Sequence, residues 1–112
     1  SDNFPLGIVW KKVINLTNKS ERLHRGIVTE NGIYAVGQHS SVKYNSNNIQ
    51  FANGLLTKLD INGNVVYNKT FGNKTTNSGI NSLFTKNGEL YMYGFTNNHN
   101  NVDYQNWFLK VN

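Results

Sequence analysis

The sequence predicts an all-β protein made of two tandem four-stranded antiparallel units. Three observations support this prediction: an internal repeat of four segments, a strand-like composition in every one of them, and no sustained helical periodicity. A two-sheet β-sandwich, in which the two copies pack face to face, is the alternative architecture.

The repeat appears when the two halves of the chain are aligned. The matched segments are Ile8–Lys12 with Val65–Lys69, Ile27–Gly32 with Leu83–Gly88, Ile33–Gly37 with Leu90–Gly94, and Leu55–Asp60 with Trp107–Asn112. The spacing is 57 residues between Tyr34 and Tyr91 but 52 between Lys58 and Lys110, because the first copy carries the longer loop Ser40–Ile49. The predicted divisions are an N-terminal lead (1–7), a first repeat (8–63) and a second repeat (64–112).

Each segment in turn has the features of a strand. The segments are short, rich in Val, Ile, Tyr, Phe and Thr, and bounded by turn residues. Asn31-Gly32 and Asn87-Gly88 separate the second and third segments of each copy, and Asn-Gly is a strong hairpin signal because both residues tolerate positive φ. Asn62-Gly63 joins the last segment of the first copy to the first segment of the second. The sequence therefore predicts eight strands joined by tight turns and short loops.

A four-stranded unit of this length, repeated in tandem, is typical of a β-propeller blade. A blade has two apolar faces, and only neighbouring sheets can cover both. Two blades do not close a ring, since propellers have about four to eight. We therefore expect either part of a longer propeller or several copies that assemble, with three copies supplying six blades.

The stretch from Leu59 to Gly72 resembles a bacterial family of propeller-type repeats, in which a Lys-Leu-Asp strand leads through Gly-Asn to an aromatic strand. The second copy continues the match at Asn81-Ser82, Asn87-Gly88, Tyr91, Gly94, Phe95–Asn97, Asp103-Tyr104, Trp107 and Lys110. Tyr67 and Asn73 depart from the usual Trp and Gly, and Gln38-His39 replaces an aromatic-Thr pair. The resemblance implies an extracytoplasmic or surface β-propeller with architectural repeats, and it brings no catalytic motif.

The charge distribution, the apolar runs and the cysteine content limit the classes of partner and site expected for this chain. The net charge is +5, but the basic residues are scattered rather than clustered, so we expect no nucleic-acid partner. No apolar run approaches the roughly 18 residues of a membrane-spanning helix. The chain has no cysteine, which excludes disulfides and thiolate metal sites.

The sequence offers little catalytic chemistry. Its three histidines are not accompanied by a nucleophile elbow, and its ten glycines are distributed among turns rather than forming a phosphate-binding loop. Among the six acidic residues, Asp60 leads into a turn and needs no functional explanation. We therefore expect no enzyme activity, no cofactor and no metal site.

Five polar and aromatic residues are predicted to form a binding rim. His39 and His99 follow equivalent glycines, and Tyr44 and Tyr104 fall in the loops before the last strands. Aromatic rings stack on sugars or peptides, and amides bond their polar groups. The predicted rim consists of His39, Tyr44, Asn98, His99 and Tyr104.

The predicted function is a non-enzymatic binding or scaffolding module at a bacterial cell surface. Its partners would be further copies of itself or further blades, with glycans or a surface protein as other candidates. The alternative is a small oligomeric lectin whose sugar sites lie between blades.

Overall fold

A computed structural model describes residues 7–13, 21–40, 52–72, 76–97 and 103–111. Within them lie seven β-strands: β1 (Glu21–Thr29), β2 (Gly32–Ser40), β3 (Ala52–Leu59), β4 (Val65–Phe71), β5 (Ser78–Lys86), β6 (Glu89–Thr96) and β7 (Gln105–Val111). The described part of the chain is thus all-β, and the predicted fold class is confirmed at that level.

The strands form two open antiparallel sheets, one in the order β1-β2-β3-β4 and the other in the order β5-β6-β7. β4 lies in the first sheet, although the repeat places its sequence at the start of the second copy. The division between sheets therefore falls after Phe71, whereas the sequence repeat divides after Gly63. The described part of the second unit has three strands rather than four.

The turn between β3 and β4 explains this arrangement. The Asp60 carboxylate accepts hydrogen bonds from the backbone N–H groups of Asn62 and Asn64, both at 2.9 Å. The backbone of Asp60 also pairs with the Asn64 carbonyl at 2.8 Å and with the Gly63 N–H at 3.0 Å. This Asx-type turn folds β4 directly back on β3.

Residues 7–13 do not form a strand, although the sequence predicts one over Ile8–Lys12. An isolated extended segment gains nothing from strand geometry unless another strand satisfies its backbone groups. β4, its repeat equivalent, obtains such a partner from the Asp60 turn. Instead, the Trp10 indole Nε1–H donates a hydrogen bond to the Ile61 carbonyl at 3.1 Å.

The two Asn-Gly hairpins differ by one residue. Asn87 and Gly88 have φ values of 53° and 78°, which is the positive pair of a type I′ turn. In the first sheet the loop is Glu30-Asn31, because Thr29 pairs with Gly32. Gly32 then opens β2 with φ 134°, and a Cβ there would lie 2.6 Å from the Leu59 carbonyl oxygen.

The two sheets share one hydrogen-bonding register. Tyr34 pairs with Lys58 in the first sheet, and Tyr91 pairs with Lys110 in the second. The first strands carry equivalent bulges, between Leu23 and Arg25 in β1 and between Ile80 and Ser82 in β5. The spacings of 57 and 52 residues found in the sequence therefore hold in the backbone pairing of β2 with its equivalent β6 and of β3 with its equivalent β7. β1 and β5 also correspond at 57, which makes Ile27 equivalent to Phe84, so the sequence match of Ile27–Gly32 with Leu83–Gly88, at a spacing of 56, is wrong by one residue.

The sheets pack together through β5, which contacts β1, β2 and β3. The hydrophobic core between them consists of Val36, Leu56, Ile80, Leu83, Leu90 and Met92. β3 is buried on both faces, since Leu55 and Thr57 alternate with Leu56 and are also buried. One face of β6 and β7 thus belongs to the core, and the residues that alternate with it point away.

Candidate functional site

The structure describes two members of the predicted rim. His39 lies near the end of β2 and is buried. Its neighbour Gln38 lies against Gly79 of the second sheet, so the alternation of side chains along the strand directs His39 to the opposite face of the first sheet. Tyr104 is exposed, and its ring and that of Phe95 meet edge to face with centroids 5.5 Å apart.

Tyr44, Asn98 and His99 lie outside the described residues. His39 lies in the first sheet and Tyr104 directly precedes β7 of the second sheet, and the two do not form a common surface by themselves. The rim therefore stays a prediction.

The outer face of the second sheet carries aromatic residues on all three strands. We call it the aromatic face: Phe84, Tyr91, Tyr93, Phe95 and Phe108. These residues alternate along their strands with the core residues Leu83, Leu90, Met92 and Leu109.

Cross-strand ring pairs organise the aromatic face. Phe84 and Tyr91 pair directly across β5 and β6, and their rings stack with centroids 5.3 Å apart and an interplanar angle of 9°. Tyr93 and Phe108 pair across β6 and β7 with centroids 5.7 Å apart. Such pairs stabilise adjacent strands by roughly 0.2–1 kcal/mol each. They also fix the rings in place as a preformed surface.

The equivalent positions of the first sheet are buried. Tyr93 corresponds to Val36 and Phe108 corresponds to Leu56 in the shared register. Val36 and Leu56 are each 0% exposed, whereas Tyr93 is 39% and Phe108 is 77% exposed. The face that is buried in the first sheet is therefore exposed in the second.

Charged groups lie at the hairpin end of the aromatic face. Lys110 Nζ lies 2.9 Å from the Glu89 carboxylate and 5.7 Å from the centre of the Tyr91 ring. The Tyr91 hydroxyl also donates to Glu89 at 3.0 Å. The hydrogen bond from Lys110 holds the pKa of Glu89 below its ordinary value, and the same contact raises the pKa of Lys110.

A cleft of about 530 Å³ lies between the sheets at the end where both hairpins turn. Its polar lining includes Glu30, Asn31 and the threonines Thr29 and Thr85, and its apolar lining includes Tyr34. A volume in this range holds a small organic ligand. The arrangement combines a ring face with carboxylate, amide and hydroxyl groups.

Sequence reasoning missed Phe84, Tyr93 and Phe108 as surface residues. The alternation of apolar residues in β6 does separate Tyr91, Tyr93 and Phe95 from Leu90 and Met92. That alternation divides a strand into two faces but does not say which face a second sheet covers.

In the described part of the chain, no group of three or more His, Asp or Glu side chains is arranged to hold a metal ion. The same residues contain no helix with the length and apolarity needed to cross a membrane. No protein-family model, curated protein or solved structure matches this chain.

Proposed function

We propose that this protein is a non-enzymatic binding and scaffolding module, built from propeller-blade-like repeats, that acts at a bacterial cell surface. Its contact surface is the aromatic face, and its partners are further copies of the chain or further β-sheet units of the same kind. The exposure of Tyr93 and Phe108, at positions whose equivalents Val36 and Leu56 are wholly buried, is the observation that supports this proposal most directly.

The energetics favour a protein partner for this face. Complete burial of a large apolar side chain contributes about 1.5–3 kcal/mol relative to leaving it exposed. Exposed aromatic clusters of this kind mark interaction sites more often than single exposed residues do. Rings already ordered by cross-strand pairing lose little side-chain entropy when a partner covers them.

Two of the acidic residues, Asp60 and Glu89, have structural roles, and this supports a non-enzymatic function. Asp60 is held by backbone N–H groups within its turn, and Glu89 is paired with Lys110. Both groups stabilise the scaffold as they stand. The proposal assigns neither a catalytic part.

Light scattering across a dilution series tests the proposal. We expect the unmodified chain to exceed its monomer mass of 12.7 kDa, and Phe108→Ser to return it to that mass with an unchanged circular dichroism spectrum. Val28→Ser is the matched control, since Val28 is equally exposed but lies on the first sheet. The proposal would be contradicted if the unmodified chain stayed monomeric at every concentration, or if both substitutions changed the solution mass equally.

A carbohydrate-binding function is the second candidate, and the cleft between the sheets favours it. Glu30, Asn31 and the threonine hydroxyls can bond sugar hydroxyls, while the ring of Tyr34 can stack on a sugar face. A glycan array tests this function, with Glu30→Gln as the variant expected to lose any selective signal. Selective binding that survives this substitution would exclude the cleft, and an array without selective binding would exclude the function.

A further inference from the structure

We propose that residues 8–13 of one copy add to the free edge of β7 in a second copy and so complete its second sheet with a fourth strand. This inference rests on the proposed assembly function and names the contact that produces it. It follows from the register of the repeat, from two surfaces that the described structure leaves open, and from the chemistry at the predicted junction.

The register comes from the first sheet. β4 occupies the edge of β3, with Tyr67 opposite Lys58 and Lys69 opposite Leu56. Ile8–Lys12 is the repeat equivalent of Val65–Lys69, and β7 is the equivalent of β3. Carried over at these spacings, the pairing places Trp10 opposite Lys110 and Lys12 opposite Phe108.

Both halves of the proposed contact are open. Among the described strands, β7 pairs with β6 alone, and no described strand lies beside its other edge, where a further strand could pair with the backbone. Residues 7–13 are not part of a sheet and bend at Val9, and Ile8, Val9 and Val13 are exposed. A segment with exposed β-branched residues and a sheet edge without a described neighbour can satisfy each other's backbone groups by strand addition.

The first sheet also shows which side-chain contacts the added strand would make. Lys58 lies over the Tyr34 ring at 5.4 Å, and Lys69 lies over the Tyr67 ring at 5.3 Å. In the second sheet Lys110 already lies over Tyr91. Addition of residues 8–13 would place Trp10 beside Lys110 and Lys12 over the Trp10 ring. These contacts would repeat the alternating rings and lysines of the first sheet.

The added strand would extend the aromatic face. Trp10 falls on the same side of the sheet as Phe108 and Tyr91, because Tyr67 falls on the same side as Leu56 and Tyr34 in the first sheet. In the unassembled chain, Trp10 is hydrogen-bonded to the Ile61 carbonyl and its ring lies against Gly63. Strand addition to a second copy would replace those contacts with backbone hydrogen bonds to β7 and with a contact between Trp10 and Lys110.

Disulfide formation tests the register, since the chain has no cysteine of its own. Chains carrying Trp10→Cys are mixed with chains carrying Lys110→Cys, oxidised and digested. We expect a linked peptide joining positions 10 and 110. The matched control mixes Lys11→Cys with Lys110→Cys. A shift of one residue turns the side chain to the opposite face, so this pair should give no link.

A second variant tests whether the strand produces the assembly. The double substitution Lys11→Pro/Lys12→Pro removes two consecutive backbone donors, one of which must face β7 in an antiparallel pairing, from a segment that lies outside the described sheets and core. Lys11→Ala/Lys12→Ala is its control. We expect light scattering to give the monomer mass for the proline variant and the assembled mass for the alanine variant. An assembled chain with no 10–110 link, or one unaffected by the proline, overturns the strand addition but leaves the proposed function standing. A chain that is monomeric at every concentration overturns the proposed function itself.

Discussion

Gly37 and Gly94 occupy the same position in the two sheets, each facing a β-bulge on the neighbouring strand. A Cβ at Gly37 would overlap the carbonyl oxygen of Arg22, and a Cβ at Gly94 would overlap that of Gly79. The bulged strands approach so closely that only glycine fits at either position. The repeat therefore preserves a local packing requirement as well as a pattern of apolar residues.

Substitution of Gly94 by alanine should destabilise the fold. The added methyl group must displace the backbone of β5, and overpacking of this kind costs about 1–3 kcal/mol. Chemical denaturation followed by circular dichroism measures the change. Gly7→Ala is the control, because a Cβ at Gly7 meets nothing within 4 Å and should alter the stability by less than about 0.5 kcal/mol. Equal stabilities for the two variants would contradict the close approach.

Leu56 anchors the core between the sheets, and Leu56→Ala should lower the free energy of unfolding by about 2–5 kcal/mol. Leu56 is fully buried against residues of the second sheet, so its loss leaves a cavity. Leu23→Ala makes the same chemical change at a partly exposed site in β1 and should cost no more than about 1 kcal/mol. Denaturant titration measures the free energy of unfolding of both variants. A similar decrease in both would contradict the central position of Leu56 in the core.

The strands were largely predictable from the sequence because each carries its own signals. Asn87-Gly88 forms the expected hairpin turn, and Tyr91, Gly94 and Lys110 keep the spacing of their counterparts. The neighbours of each strand were less predictable. The pairing of β4 with β3 depends on the hydrogen bonds of Asp60, which a division of the chain by repeat does not consider.

The surface was harder to predict than the fold. His39 is buried because β2 continues past Gly37, so that His39 pairs with Asn53 of β3, a residue distant from it in the sequence. Phe108 is exposed because no second sheet covers it in the described structure, although its sequence neighbours are typical of a core strand. Such exposure depends on tertiary packing, which a strand's own periodicity does not encode.

Thr57 should be replaceable by valine with a gain in stability. Its hydroxyl is fully buried and has no hydrogen-bond partner among the described residues. Valine has nearly the same shape and removes the cost of the buried polar group, so we expect about 1 kcal/mol of stabilisation. Thermal and denaturant unfolding measure the gain.

Thr29→Val is the matched control for that substitution. The Thr29 hydroxyl accepts a bond from the Asn31 N–H at 3.1 Å and donates one to the Gly32 carbonyl at 3.3 Å. Its removal should therefore destabilise the hairpin by about 0.5–1.5 kcal/mol. A loss of stability in Thr57→Val would mean that its hydroxyl has a partner after all.

The Asp60 turn should make stability fall in acid. The backbone N–H of Asn64 is the main cause that holds the pKa of Asp60 below its ordinary value, with further help from the Asn64 side chain and Asn62. A carboxylate whose pKa is lower in the folded chain contributes stability above its unfolded pKa, and this contribution is lost as pH falls through the folded value. Asp60→Asn keeps a side-chain oxygen that can accept the turn's hydrogen bonds but cannot titrate. Its stability should therefore change less than that of the unmodified chain between about pH 5 and pH 2, as followed by urea denaturation at each pH. Parallel pH profiles for the two chains would show that Asp60 does not link the turn to protonation.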